Sequence, residues 1–167
     1  MIKHQTPFKI LTAAIFILLI VPTLIKDGMF MDGEQYACVS KNMAEGLGSF
    51  WHPYFSKTWM NGGSNVFLEQ PPLVWGIQSL LFKLMGNTIY VERLYSLLTA
   101  LISAFVIVKT WKLINIKNQT FQNFSWLPVL LWIITPVCFW AYQNNVQENT
   151  MGVFTLSYRR ATMKSTT

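Results

Sequence analysis

The chain has 167 residues, of which 52% are hydrophobic and only 12% charged, with a formal net charge of +6. Soluble domains carry about a quarter charged residues, so this composition argues against a water-soluble domain and for membrane segments. The basic excess does not point to nucleic acid, because Lys and Arg gather beside apolar runs and no basic cluster is interleaved with aromatics.

Residues 1–9 are short and basic (Lys3, His4, Lys9), and residues 10–25 then read ILTAAIFILLIVPTLI, interrupted by Pro22. A cleaved secretory signal has a similar start, but no small-x-small site follows; Lys26-Asp27-Gly28-Met29 is a poor one. The first transmembrane helix is therefore expected at about residues 8–25, as an uncleaved signal-anchor with a cytoplasmic N-terminus.

An outer loop of about residues 26–90 comes next and reads as two short interfacial helices around an irregular middle. Asp32 begins the first, and Tyr36, Val39, Met43 and Leu47 form its apolar stripe. Gly46 and Gly48 are its terminators, and such a helix suits the membrane interface. Residues 49–67 are aromatic and turn-rich: Trp51, Tyr54, Phe55 and Trp59 lead into Asn61-Gly62-Gly63. That stretch is expected to be mobile, with rings at headgroup level. Pro71 or Pro72 opens the second helix, where a missing N–H costs nothing. It covers residues 73–85, ends at Gly86-Asn87, and is too short to span a bilayer, so it reads as interfacial or re-entrant.

The second span has an apolar core at 94–108 between Arg93 and Lys109, extended by helix to about 91–112. Residues 109–123 carry Lys109, Lys112 and Lys117 and no acid, so they read as cytoplasmic. The Asn-x-Thr at Asn118 and Asn-x-Ser at Asn123 then face the wrong side for glycosylation. The third span, about 124–142, is rich in Trp (Trp126, Trp132, Trp140) and contains Pro128 and Pro136. After a polar turn a fourth apolar run occupies only about 150–156, and 157–167, SYRRATMKSTT, is an atypical polar tail. A helix that enters a bilayer and switches to Arg159-Arg160 carries a penalty of a few kcal/mol or more. The chain is thus expected to be a truncated or frameshifted N-terminal piece of a longer protein. The expected fold class is an all-α polytopic membrane protein with three transmembrane helices, a partial fourth, and two short interfacial helices in the first outer loop.

Three crossings from a cytoplasmic N-terminus put all seven carboxylates outside: Asp27, Asp32, Glu34, Glu45, Glu69, Glu92 and Glu148. Acidic residues have little influence on insertion, so site chemistry is one candidate cause of that bias. Each also has a plainer reading. Asp32 with Gln35 three positions on is a variant capping box, and Glu34 in the first turn suits the helix dipole. Glu69 reads equally as the solvated start of a helix, and Glu148 as a loop charge. His4 and His52 read as surface residues. Cys38 and Cys138, a hundred positions apart, offer no disulfide framework or zinc spacing and read as packing residues. Taken together, Asp32, Glu34, Glu69 and Glu148 would meet at one membrane face. Convergent carboxylates there suit a general base on an acceptor hydroxyl and a hard divalent cation that neutralises a phosphate leaving group.

One anchor helix followed by Asp32-Gly33-Glu34-Gln35-Tyr36-Ala37 resembles the bacterial GT-C glycosyltransferases. Phe67-Leu68-Glu69-Gln70-Pro71-Pro72-Leu73 and Val91-Glu92-Arg93-Leu94 add to the resemblance, which covers roughly residues 8–156. The most similar groups are family 39 protein mannosyltransferase-like enzymes and the aminoarabinose transferases that modify lipid A. The resemblance implies inverting transfer from a polyprenyl-phosphate-linked sugar to a lipid or protein acceptor, on the outer face of the cell (inner) membrane. Asp32 matches the family's catalytic aspartate, and Glu69 the acidic position tied to metal or phosphate, with a divalent ion of open identity. Glu34, Gln70 and Glu148 fall on the substrate and phosphate side. Gln70 stands where relatives often carry lysine, so that position lacks the positive charge. The many further spans of a full-length relative are missing here. The rival reading is a small non-enzymatic integral membrane protein that binds a lipid or a partner subunit through its aromatic outer loop. A transporter fits less well, because no span carries an ionisable residue facing its midplane.

Overall fold

The computed structural model describes residues 5–26, 28–57 and 65–165. Lys3, His4, Asp27, Trp59 and the Asn61-Gly62-Gly63 turn, all singled out above, lie outside the described residues. The fold is all-helical: eight helices are present among the described residues, with isolated bridges but no strand. They belong to two compact units. One comprises Met1–Lys26, Leu97–Gln143 and Glu148–Thr167, and the other comprises Asp27–Ser96 with Asn144–Gln147. The first is called here the apolar unit and the second the loop unit.

In the apolar unit, α1 (Thr6–Ile25) packs against α6 (Trp126–Ile134) and α7 (Pro136–Gln143). The body of α4 (Tyr90–Ile114), whose first turns belong to the loop unit, and the short α5 (Gln119–Gln122) join them. Phe16, Ile20, Ala100, Ile133 and Tyr142 form the core. Two polar contacts tie it: the Ser103 and Tyr142 hydroxyls lie 2.6 Å apart, and Gln143 Nε2 donates to the Leu19 carbonyl at 3.0 Å. Large apolar side chains also face outward, including Leu18 at 69% exposed and Ile25 at 77%. Only 22% of the most apolar stretch of α4 is buried, so core packing does not account for its composition.

Among the described residues α4 alone is long and apolar enough to cross a membrane. The α6–α7 pair adds a second crossing only if counted as one broken span, and the apolar stretch Thr6–Pro22 falls short. The expected third span is bent by 76° between α6 and α7. Pro136 has no N–H to give Trp132, and the residue before a proline avoids helical backbone. Thr135 is accordingly extended, and its hydroxyl donates to the Leu131 carbonyl at 2.7 Å. The last element also differs from the sequence reading, since α8 (Glu148–Ser165) runs on through the polar tail. Arg, Ala, Met and Lys are good helix formers, and no Gly or Pro interrupts them there.

The loop unit is built on α2 (Met31–Ala44) against α3 (Leu73–Met85), around a core of Tyr36, Val39, Phe67 and Trp75. The fully buried Gln78 of α3 accepts from the Ser40 hydroxyl at 3.1 Å, which fixes the register of the two helices. Two expectations are corrected. The cap of α2 is Phe30, with extended backbone and no side-chain cap bond, so Asp32 sits inside the first turn and forms no capping box. Leu47 lies beyond the helix, which ends before Gly46 at φ +84°. The described parts of the turn-rich stretch, 49–57 and 65–67, are held by hydrogen bonds to each other and to α2. Phe55 N–H donates to Asn65 O, Phe67 N–H to Pro53 O, and the Asn42 amide to the carbonyls of Tyr54 and Phe55. Phe67 and Pro53 are buried, whereas Trp51 is 72% exposed.

The segment 144–147 closes this unit. Phe30 N–H donates to Asn144 Oδ1 at 2.7 Å, and Asn145 Nδ2 donates to the Gly33 carbonyl at 3.2 Å. Asn145 is left-handed (φ 52°), a conformation that asparagine tolerates better than most residues. Asn145→Ala should therefore lose a buried hydrogen bond and add strain, destabilising the protein by about 2 kcal/mol. Thermal unfolding in detergent would measure it; an unchanged midpoint would show that the 144–147 latch contributes nothing.

Candidate functional site

Asp32 and Glu34 share the first turn of α2, on either side of Gly33. Acids are favoured there by the unpaired N–H groups of a helix start. Gly33 is buried against the backbone of Asn144, where a Cβ would lie 1.8 Å from the carbonyl oxygen. A side chain is thus forbidden at the middle position while the flanking carboxylates keep theirs. Asp32 is half-buried, and its side chain makes no hydrogen bond or ion pair with a described residue.

Glu34 is tied to the preceding turn: its Oε1 accepts from Met29 N–H at 3.3 Å, with Gly28 at φ +72°. Arg93, in the first turns of α4, donates from Nη2 to the Gly28 carbonyl at 2.8 Å. Its other terminal nitrogen, Nη1, is buried without a hydrogen-bond partner among the described residues. Gly28, Met29, Glu34, Glu92 and Arg93 line a cavity of about 280 Å³. Its two carboxylates and single guanidinium suit a ligand rich in hydroxyls that also carries one oxyanion for Arg93.

Glu69 and Gln70 line a different cavity of about 380 Å³, beside Trp51, Phe67 and the proline pair. Glu69 is exposed, and Gln70 Oε1 is buried without a partner among the described residues. Neither Asp32 nor Glu34 lines that cavity. Glu148 belongs to the apolar unit, exposed in the first turn of α8. Among the described residues no three of His, Cys, Asp and Glu are grouped to hold a metal ion. The structure thus groups Glu34 with Glu92 and Arg93, and Glu69 with Gln70, whereas Asp32 lines neither cavity, so the expected meeting of Asp32, Glu34, Glu69 and Glu148 in one pocket is not seen. Two residues apart on a helix, Asp32 and Glu34 share a turn but not a face.

Two residues with central places here, Gly33 and Arg93, entered the sequence reading only as members of the resemblance motifs and, for Arg93, as one end of the second span, with no site role. Arg93 carried a signal all the same: it is a cation at the outer end of an expected span, against the usual inside bias of Lys and Arg. Gly33 inside an otherwise good helix was the other, because such a glycine is tolerated only where backbone must come close.

Cys38, on the same helix, lines a neighbouring cavity with Lys41 and Glu92. Burial pushes its thiol above the ordinary cysteine range, partly offset by Lys41 and a contact from Asn42. Its thiolate should therefore appear only at more alkaline pH than that of a free cysteine. Alkylation by iodoacetamide is expected to be slower than for free cysteine at neutral pH and to catch up as pH rises. A faster reaction at neutral pH, read by mass spectrometry, would contradict this.

Compared with known proteins, the chain matches no family model, no curated protein and no solved structure.

Proposed function

We propose that the chain is part of a polytopic membrane glycosyltransferase that moves a sugar from a polyprenyl-phosphate donor to a lipid or protein acceptor on the outer face. The observation that carries this reading is the first turn of α2. There an unengaged Asp32 stands one residue from the buried Gly33 and two from Glu34, whose cavity is lined by Arg93, a guanidinium with one buried nitrogen unpartnered among the described residues. The outward-facing apolar side chains of α1, α4, α6 and α7 support a membrane setting.

In this reading the acceptor hydroxyl oxygen attacks the anomeric carbon as the bond to the phosphate oxygen breaks. The hydroxyl proton passes to Asp32, and polyprenyl phosphate leaves with the bonding pair. The Arg93 guanidinium meets a phosphate oxygen, where a charge-assisted bond is strong, and Glu34 and Glu92 accept from sugar hydroxyls. Gln70 and Glu148 keep only the substrate-side roles implied by the resemblance. Glu69 keeps the metal role implied by the resemblance, but among the described residues no two further His, Cys, Asp or Glu are grouped with it, so no step is routed through a metal.

A photoactivatable polyprenyl-phosphate sugar, added to membranes containing the full chain, should label peptides from 28–44 or 89–96. A polyprenol lacking the phosphate should label them at least roughly tenfold less, the discrimination that a charge-assisted contact provides. Equal labelling by the two probes would overturn the proposal.

A further inference from the structure

The apolar unit contains a groove of about 600 Å³ between α1, α4 and α6. Its walls are almost wholly aliphatic or aromatic, with Ala13, Phe16 and Ile17 of α1 facing Leu101 and Ala104 of α4. The small Ala13 and Ala104 leave the width, and Ile17 and Leu101 remain about half exposed at its mouth. Two cations line it, Lys9 and Lys112, both exposed.

Both lysines stand at the same end. Lys9 lies one turn beyond Gln5, whose Oε1 accepts from Trp126 Nε1 at 2.7 Å, and Phe8 stacks on the Trp126 ring at 4.9 Å. Lys112 is in the last turn of α4, and Trp111 Nε1 beside it donates to the Phe121 carbonyl just ahead of α6. Trp126, at the start of α6, is therefore the common marker of that end. No Asp or Glu occurs in residues 5–26 or 97–143, so nothing in these segments neutralises the lysines.

We infer that this groove holds an acyl chain of an anionic phospholipid, with its phosphate between Lys9 and Lys112 and the Trp126 indole at headgroup level. The occupant follows from the match of a long apolar trough to a chain, and of two unneutralised ammonium groups to one anionic head. A free phosphate would leave the trough empty, and a zwitterionic lipid would leave the charge unmatched. The inference rests on the membrane setting proposed above and not on the transfer chemistry.

The full chain is reconstituted in phosphatidylcholine nanodiscs that contain either phosphatidylglycerol or phosphatidylcholine brominated near the head group. Tryptophan emission is compared with that of Trp126→Phe, so that the contribution of Trp126 is isolated. Brominated phosphatidylglycerol is expected to quench Trp126 at roughly one-tenth the mole fraction needed for brominated phosphatidylcholine. In the double variant Lys9→Gln/Lys112→Gln that preference should shrink to within about twofold. Equal quenching by both lipids, or a preference that survives loss of the lysines, overturns the inference. If Trp132 and Trp140 are quenched but Trp126 is not, protein covers the groove, and the inference falls while the membrane setting stands. Recovery of the chain outside the discs with no quenching at all overturns both.

Discussion

Gly33→Ala is expected to destabilise the loop unit by about 2 kcal/mol. A methyl group at this position meets Asn144 O at 1.8 Å and the Asn144 carbonyl carbon and Met29 Sδ at 2.9 Å. The first two are backbone atoms, so no side-chain rotation relieves the overlap. Alanine in a helix gains about 1 kcal/mol over glycine, but overpacking against backbone costs about 3 kcal/mol. The clash therefore wins, by releasing the 144–147 segment and with it the bonds to Phe30 and Gly33. Gly152→Ala is the matched control: nothing lies within 4 Å of its Cβ position and it sits inside α8, so it should be neutral or stabilising by up to about 1 kcal/mol. Thermal unfolding or limited proteolysis of the full chain reads both. If the two glycines respond alike, the close approach at Gly33 is not a structural constraint.

On the proposed reading, Asp32→Asn should lower sugar transfer by about 10²- to 10⁴-fold, the range associated with loss of a positioned general base. It should do so with little effect on folding. No side-chain cap bond is lost, and Asp32 holds no described residue, so the remaining stability term is its favourable position at the helix start, about 0.3–1 kcal/mol. Donor cross-linking should persist, because the phosphate contact is assigned to Arg93. The combination separates chemistry from structure: transfer falls while unfolding temperature and labelling stay put. Transfer at the parental rate in the Asp32→Asn protein would sink the assignment. A collapse of labelling together with transfer would move Asp32 from the reaction to donor binding.

Helices were legible where local rules dominate. The Pro71-Pro72 start and the Gly86-Asn87 stop bracket a helix that the structure places at Leu73–Met85, and Tyr36, Val39 and Met43 do lie on the packed face of α2. What local pattern could not supply was long-range contact. Asp32 looked like a cap because Gln35 follows at the right spacing, yet the chain enters α2 extended at Phe30 and the helix begins a residue earlier. The aromatic stretch near Trp51 looked loose because its anchors, Asn42 and Asn65, are ordinary asparagines in sequence. Of the acidic groups, the place of Asp32 and Glu34 in one turn was readable from adjacency, but not that only Glu34 lines the cavity of Glu92 and Arg93, nor that Glu69 and Gln70 line another. Nor could the sequence show that Arg93 reaches the Gly28 carbonyl, since a helix start and a turn sixty-five positions earlier share no pattern.

The latch at Gly33 also sets a timetable for biosynthesis. Asn145 is 112 residues downstream of the carbonyl it binds, and at about 5–20 residues per second it emerges roughly 6–22 s after Gly33. Throughout that interval a nascent chain carries an open notch on α2, and pairings between its own neighbours cannot fill a space shaped for a peptide group. The acidic turn therefore acquires its final form late, after the five intervening helices α3–α7 have been made.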